Sequence, residues 1–210
     1  MFNNKEPEFN FSKLSNILNN IRKYIPLPKN NFFIFIIVIL FFIGLWGSSG
    51  IFTVQPGEQA ALKLFGKFNS LAGPGLHWFF PSPIGDKDIV ATDTIRRLEL
   101  GFRGDKVVPS EALMITGDEN IVDAQLLVQF DIKDLKKFLY KAIDPGEKTM
   151  MDVAETALRQ VVGSKPIDDV LTTEKEAVQS ETKILMQSLL DNYETGIRVR
   201  EVKLQNVKPP

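Results

Sequence analysis

Side chains that could carry out catalysis are few in this chain, and they do not form a complete catalytic motif. The sequence has no cysteine and a single histidine, His77. These counts exclude disulfides, thiolate metal sites and cysteine nucleophiles, and they disfavour a His-rich zinc site. His77 lies between Leu76 and Trp78 with no identifiable Ser and Asp partners, so packing or hydrogen bonding is its expected role. No catalytic residue is predicted, and a peptidase that uses one of the many Ser or Thr residues remains an alternative.

Glycine-rich and acidic segments also fail as cofactor or metal motifs. Gly146-Glu147-Lys148-Thr149 lacks the contiguous Gly-Lys-Thr of a phosphate-binding loop, and Gly101-Phe102-Arg103-Gly104 lacks the spacing of a dinucleotide fingerprint. Asp118, Glu119 and Asp123 do not follow the order of a calcium-binding loop, so they are interpreted as turn and surface residues. No cofactor and no metal are therefore predicted.

The longest feature of the sequence is an uncharged apolar run from Asn31 to Phe52. A soluble helix carries polar residues on one face, but nothing polar interrupts Phe32 to Ile43. About 18 apolar residues are enough for a helix to cross a bilayer. Residues 32–52 are therefore predicted to form a transmembrane signal anchor. A cleaved signal peptide is the competing interpretation, because Gly47-Ser48-Ser49-Gly50 offers small residues for cleavage.

Charge before and after this run predicts its orientation. Residues 1–31 are rich in Asn and carry five basic and two acidic side chains, which indicates a disordered tail on the cytoplasmic side. The whole chain has a net charge of −1, so the part after the run has a net charge of −4. That acidic part is predicted to lie outside the cytoplasm, and it has no basic stripe for nucleic acid.

Residues 53–120 have the pattern of short strands and turns. Phe52-Thr53-Val54 and Ala60 to Phe65 are predicted strands, and Gln55-Pro56-Gly57-Glu58 between them fits a type II turn. Short strands are also predicted at 96–100 and 113–116. This region is interpreted as the first of two subdomains.

Residues 121–210 combine a long strand with helices. Apolar side chains at every second position from Val122 to Ile132 indicate a half-buried strand with a polar outer face. Asp134 is predicted to cap a first helix, Pro145 to open a second, and Thr173-Glu174-Lys175-Glu176 to open a third as a capping box. A last strand follows from Ile197. The order of these elements predicts an α+β fold, with this region as the second subdomain.

Several of these segments resemble the band-7 family, also called SPFH, which includes stomatins, prohibitins, flotillins and the HflK/HflC proteins. The general resemblance rests on Gly50 to Val54, Gly57 to Phe68 and Gly73-Pro74-Gly75-Leu76-His77-Trp78. Three further segments are similar to the bacterial HflK branch: Met114 to Val122, Ala157 to Gly163, and Leu204 to Pro210. The resemblance covers residues 50–210 and implies a transmembrane helix followed by a band-7 domain of short antiparallel strands and three helices.

The resemblance also implies a function. HflK-like proteins are scaffolds without catalytic activity in the bacterial inner membrane, with the main domain in the periplasm. They self-associate, pair with an HflC-like subunit, and enclose and modulate the membrane protease FtsH. A membrane-tethered peptidase and a stomatin-like organiser of membrane microdomains are the alternatives. The Asn-rich tail departs from the family, and so does the missing coiled coil after residue 210, which leaves open that the sequence is a fragment.

A band-7 domain that follows its anchor so closely is expected to rest on the outer leaflet of the bilayer. Aromatic side chains are enriched at such interfaces. The candidates for this contact are Trp46, Phe52, Trp78, Phe79 and Phe80. An aromatic core cluster is the alternative for Trp78 to Phe80.

Overall fold

The computed structural model describes residues 31–208 and divides the chain into two compact units, one up to Gly50 and the other from Ile51 onward. The first unit contains helix α1 (Asn31–Ser48), which has no charged residue. Two serines and two glycines follow its apolar part, and the Ser48 and Ser49 hydroxyls donate to the carbonyl oxygens of Leu45 and Trp46. The helix ends there, before the predicted end at Phe52. Within the described residues, no helix has both the length and the apolar character needed to cross a membrane.

The second unit begins with two small antiparallel sheets. Strands β1 (Ile51–Val54) and β4 (Gly75–Trp78) form a two-stranded ribbon. Strand β2 (Glu58–Leu64) lies between β3 (Lys67–Ala72) and β5 (Gly85–Ala91). The predicted turn before β2 is confirmed: Gly57 has φ +86° and the Glu58 amide donates to the Gln55 carbonyl over 3.0 Å, as a type II turn requires.

A four-stranded sheet forms the larger half of this unit. Strand β10 (Ile121–Ile132) pairs with β11 (Ile197–Lys208) on one side, and on the other with β6 (Arg96–Leu100) and β9 (Leu113–Ile115). The short strands β7 (Phe102–Arg103) and β8 (Lys106–Val107) and the one-turn helix α2 (Pro109–Ala112) connect β6 to β9. Strands β6 and β9, which precede residue 120, thus pair in the same sheet as β10 and β11.

Three longer helices complete the α+β fold. Helix α3 (Leu135–Tyr140) begins as predicted, with the Asp134 carboxylate accepting from the Lys137 amide. Helix α4 (Lys148–Val162) begins three residues after Pro145. Helix α5 (Lys175–Asn192) follows a π-helical turn (Asp169–Thr173) and has no side-chain cap. The predicted capping box is therefore wrong, because that turn includes Thr173 and Glu174 becomes the N-cap.

Strand β10 supplies the centre of the core. Its even-numbered side chains, from Val122 to Ile132, are at most 5% exposed, and those from Val122 to Phe130 pack with apolar side chains of α4 and α5. The opposite face is less exposed than predicted: Asp123 and Gln125 are each 8% exposed and Asp131 is 1% exposed. The predicted polar outer face is thus largely buried, and the side chains of Arg198 and Arg200 bind Asp131 on that face.

Helices α3 and α5 make specific contacts with strands of the larger sheet. On α3, Leu135 packs with Ala61 of β2 and Ile132 of β10, which joins the small sheet to the large one. On α5, the Gln187 side chain accepts from the Val199 amide and donates to the Ile197 carbonyl. The glutamine thus bonds to β11 as a neighbouring strand would.

Candidate interaction surfaces

The β1–β4 ribbon has one buried and one exposed face. Phe52 and Val54 are buried, whereas Ile51, Leu76 and Trp78 are 55%, 73% and 53% exposed. Ile51 pairs directly with Trp78, and the Trp78 ring lies 5.2 Å from the ring of Phe80, which is 43% exposed. These four side chains, Ile51, Leu76, Trp78 and Phe80, form what we call the apolar patch.

The structure distributes the five aromatic candidates among three environments. Trp46 lies on α1, in the first unit, and is half-buried. Phe52 is 7% exposed and belongs to a core cluster, against which the half-buried Phe79 packs. Of the five, Trp78 and Phe80 are exposed. Ile51 and Leu76 were not among the predicted residues, although alternation of side chains along paired strands places both on the face that carries Trp78.

A further exposed aromatic side chain lies at the tip of the β2–β3 hairpin. Phe65 is 74% exposed and has φ +48°, a left-handed conformation that only Gly, Asn and Asp adopt readily. Its amide donates to the Ile84 carbonyl over 2.9 Å. The hairpin tip is therefore bonded to the loop that follows Phe80, next to the apolar patch.

Charged and polar side chains also make contacts within the two small sheets. The Lys63 ammonium bridges Asp88 at 2.8 Å and Asp86 at 3.2 Å, and Asp88 and then Asp86 raise the pKa of Lys63. The imidazole Nε2 of His77 lies 2.8 Å from the Gly73 carbonyl oxygen, and the ring packs against Phe52. The partners of His77 are thus a backbone carbonyl and an aromatic ring, as expected of a packing residue.

The segment that resembles HflK most specifically is a structural turn. The Thr116 hydroxyl and the Ile167 amide both donate to Asp118 Oδ1, at 2.5 and 3.1 Å, and the Asn120 side-chain amide donates to Oδ2. These donors, led by the Thr116 hydroxyl, lower the pKa of Asp118. The turn between β9 and β10 is thereby tied to the segment after α4, which explains why this position needs a carboxylate.

The described residues were also considered for a metal-binding group of acidic and histidine side chains. Across residues 31–208, no group of three or more His, Cys, Asp or Glu residues is placed to hold a metal ion. Asp118 and Asp123, considered above as turn and surface residues, have separate surroundings. Asp118 lies in the hydrogen-bonded turn, and Asp123 is nearly buried beside Gln125.

Small antiparallel sheets joined to a four-stranded antiparallel sheet, with helices packed on the larger sheet, define an α+β domain. The profile of the SPFH domain / Band 7 family matches residues 52–210. The chain belongs to this family.

Curated relatives narrow the similarity to one branch. The chain is 29% identical over 197 residues to "Protein HflK" of Buchnera aphidicola subsp. Schizaphis graminum, covering 94% of this chain and 45% of the relative. It is 31% identical over 185 residues to "Protein HflK" of Borreliella burgdorferi, covering 85% and 59%. It is 29% identical over 166 residues to "Modulator of FtsH protease HflK" of Escherichia coli (strain K12), covering 79% and 37%. The chain thus spans between about a third and three fifths of the length of these relatives.

Proposed function

We propose that this chain is an HflK-like scaffold that modulates an FtsH-type AAA protease and is not itself a catalyst. The observation that carries the proposal is the family match over the whole second unit, together with relatives named HflK, one of which is named as a modulator of FtsH protease. In this proposal the scaffold self-associates and pairs with an HflC-like subunit. Its role is in the quality control of membrane proteins.

Attachment to the bacterial inner membrane is part of the proposal. The uncharged sequence from Asn31 to Phe52, preceded by a basic segment, supports a single-pass anchor with a cytoplasmic N-terminus and a periplasmic main domain. The apolar patch supports contact between that domain and the outer leaflet, with Trp78 and Phe80 at the interface. Trp46, Phe52 and Phe79 are further candidates for that interface. Phe52 is buried in a core cluster, and Phe79 packs against that cluster.

Purification of the tagged chain in mild detergent tests the scaffold. We expect an HflC-like protein and an FtsH-type protease to copurify in a particle much larger than the chain alone. Large particles without the protease would instead support a stomatin-like microdomain organiser. A monomer that cleaves casein, with activity lost on a single Ser→Ala change, would support the membrane-tethered peptidase and refute the scaffold.

A further inference from the structure

A carboxylate with two arginine partners lies where β10 and β11 run side by side. Asp131 is 1% exposed, and Arg198 is its direct cross-strand neighbour. Nε and Nη2 of Arg198 donate to the two carboxylate oxygens at 2.9 and 2.8 Å. This bidentate pair already neutralises the buried charge and fixes its geometry.

The second arginine is brought to the same carboxylate by an irregularity in β11. Val199 pairs with Phe130 and Glu201 pairs with Gln129, so Arg200 is an extra residue without a partner on β10. Its Nε donates to Asp131 Oδ2 at 2.6 Å. Bulges of this kind redirect a side chain and are often found next to functional sites. Here the bulge places a second guanidinium group beside the first.

The two guanidinium groups retain donors that the domain does not use. Their side chains are 45% and 48% exposed, and Nε and Nη2 of each group bind Asp131, so Nη1 of each group lies outside these contacts. Asp131 carries one negative charge against the two positive charges of Arg198 and Arg200. Asp93 also attracts Arg198, while Glu201 is paired with Lys203 at 3.0 Å. Arg97, opposite Gln129 on β6, lies on the same face of the sheet but is not one of the partners of Asp131.

We propose that Arg198 and Arg200, held in place by Asp131, form a receptor for a carboxylate side chain from an acidic polypeptide segment. Paired guanidinium groups match the planar, bidentate geometry of a carboxylate. A long polyanion such as nucleic acid fits poorly, because the domain as a whole is acidic. The cluster lies near Asp93, beyond the Ala91 end of β5, about 20 Å along that strand from the Gly85 end beside the apolar patch. This separation favours a polypeptide over a lipid headgroup, and the inference does not depend on protease modulation.

Titration of the full chain in a zwitterionic detergent tests this receptor. The probe is a capped tetraglutamate peptide, and capped tetraglutamine and inorganic phosphate are the reference ligands. Binding is followed by the NMR signals of the arginine Nε–H groups and by calorimetry. We expect weak, salt-sensitive binding of tetraglutamate alone, reduced about tenfold by Arg200→Gln. Arg97→Gln is the matched control on the same face and should keep most of the affinity.

Arg200→Gln leaves the Arg198–Asp131 pair intact, so the variant should fold, and its Tm is measured alongside. Arg200→Lys keeps the charge without the planar fork and should bind with intermediate affinity, which separates recognition by geometry from simple charge. The proposal is overturned if tetraglutamate does not bind, or if phosphate binds more tightly than tetraglutamate. It is also overturned if Arg97→Gln weakens binding as much as Arg200→Gln does.

Discussion

At the scale of single residues, Gly196 shows how a backbone position can require glycine. It has φ +71°, and a Cβ atom there would lie 2.2 Å from the Asp134 carbonyl oxygen and 2.9 Å from the Phe138 amide nitrogen. The Lys133 and Asp134 amides donate to the Gly196 carbonyl. The residue therefore joins the start of α3 to the start of β11.

Gly196→Ala should destabilise the domain by about 2 to 4 kcal/mol, because the new methyl group meets backbone atoms in a left-handed conformation. Urea unfolding followed by circular dichroism measures the change. Gly73→Ala is the control, since a Cβ there meets nothing within 4 Å. Equal stability of the two variants would contradict this account of the contact.

The ion pairs of Asp131 predict a pH dependence of the stability of the domain. Arg198, followed by Arg200, lowers the pKa of Asp131 below its usual value. The stability from the ion pairs is therefore fully present above the unfolded carboxyl pKa of about 4, and it is lost as the pH falls through the lower folded value. Asp131→Asn should cost about 1 to 3 kcal/mol at pH 7.

The difference in Tm between wild type and Asp131→Asn should therefore narrow as the pH is lowered from 7 towards 2. Thermal unfolding at a series of pH values checks this. Asp105→Asn, on the exposed β7–β8 turn, is the control and should follow the wild type. A difference that stays constant down to pH 2 would show that the carboxylate charge is not the stabilising feature.

At the scale of elements, the turn between β9 and β10, whose sequence is similar to HflK, connects two parts of the domain. Asp118 accepts hydrogen bonds from within the turn and from Ile167, beyond α4. The Gly117 amide donates to the Lys165 carbonyl, and the Lys165 ammonium bridges Glu174 and Glu181. One hairpin turn thus connects the sheet to the segment that leads into α5.

Asp118→Ala should lower the Tm of the domain by about 3 °C or more, because the Ile167 and Thr116 donors lose their acceptor. Hydrogen exchange should rise most in the segment between α4 and α5. Glu119→Gln in the same turn is the control, since its exposed side chain can change without loss of these bonds. An increase in exchange confined to the turn itself would refute the role of Asp118 as a connection.

The sequence predicts these elements unevenly, for physical reasons. The strand β10, the turn at Gly57 and the cap at Asp134 each have a local signal in the sequence, and the structure confirms all three. Burial of Asp131 depends on β11, more than sixty residues later in the sequence, so no local pattern reveals it. The apolar patch likewise depends on the pairing of Ile51 with Trp78. The aromatic sequence around Phe79 does not by itself distinguish core from surface residues.

At the scale of the whole molecule, the exposed apolar patch makes a prediction about contact with the bilayer. The chain has two tryptophans, so Trp46→Phe leaves Trp78 as the only one. In proteoliposomes with brominated lipids, we expect quenching of Trp78 fluorescence, because an aromatic side chain at the interface lies within reach of the lipid chains. Leu76→Glu with Phe80→Glu should reduce that quenching several-fold without a loss of folded structure.

Two controls accompany this measurement. Trp78→Phe leaves Trp46 as the reporter in α1, and Ile184→Glu places a charge on an exposed isoleucine of α5 instead. Strong quenching of Trp46 with none of Trp78 would show that the patch does not touch the bilayer. Unfolding of the double variant would identify the patch residues as part of the core.

The central strand β10 is synthesised well before its partner strand β11, which affects folding during synthesis. Its partner β11 begins at Ile197, after β10 has ended at Ile132, so at about 5 to 20 residues per second several seconds separate the two strands. Throughout that interval a strand with an apolar row has an open edge, which invites pairing with other chains. A nascent chain of this protein is therefore most exposed to aggregation between the synthesis of β10 and that of β11, and ribosome pausing within α4 or α5 would prolong that exposure.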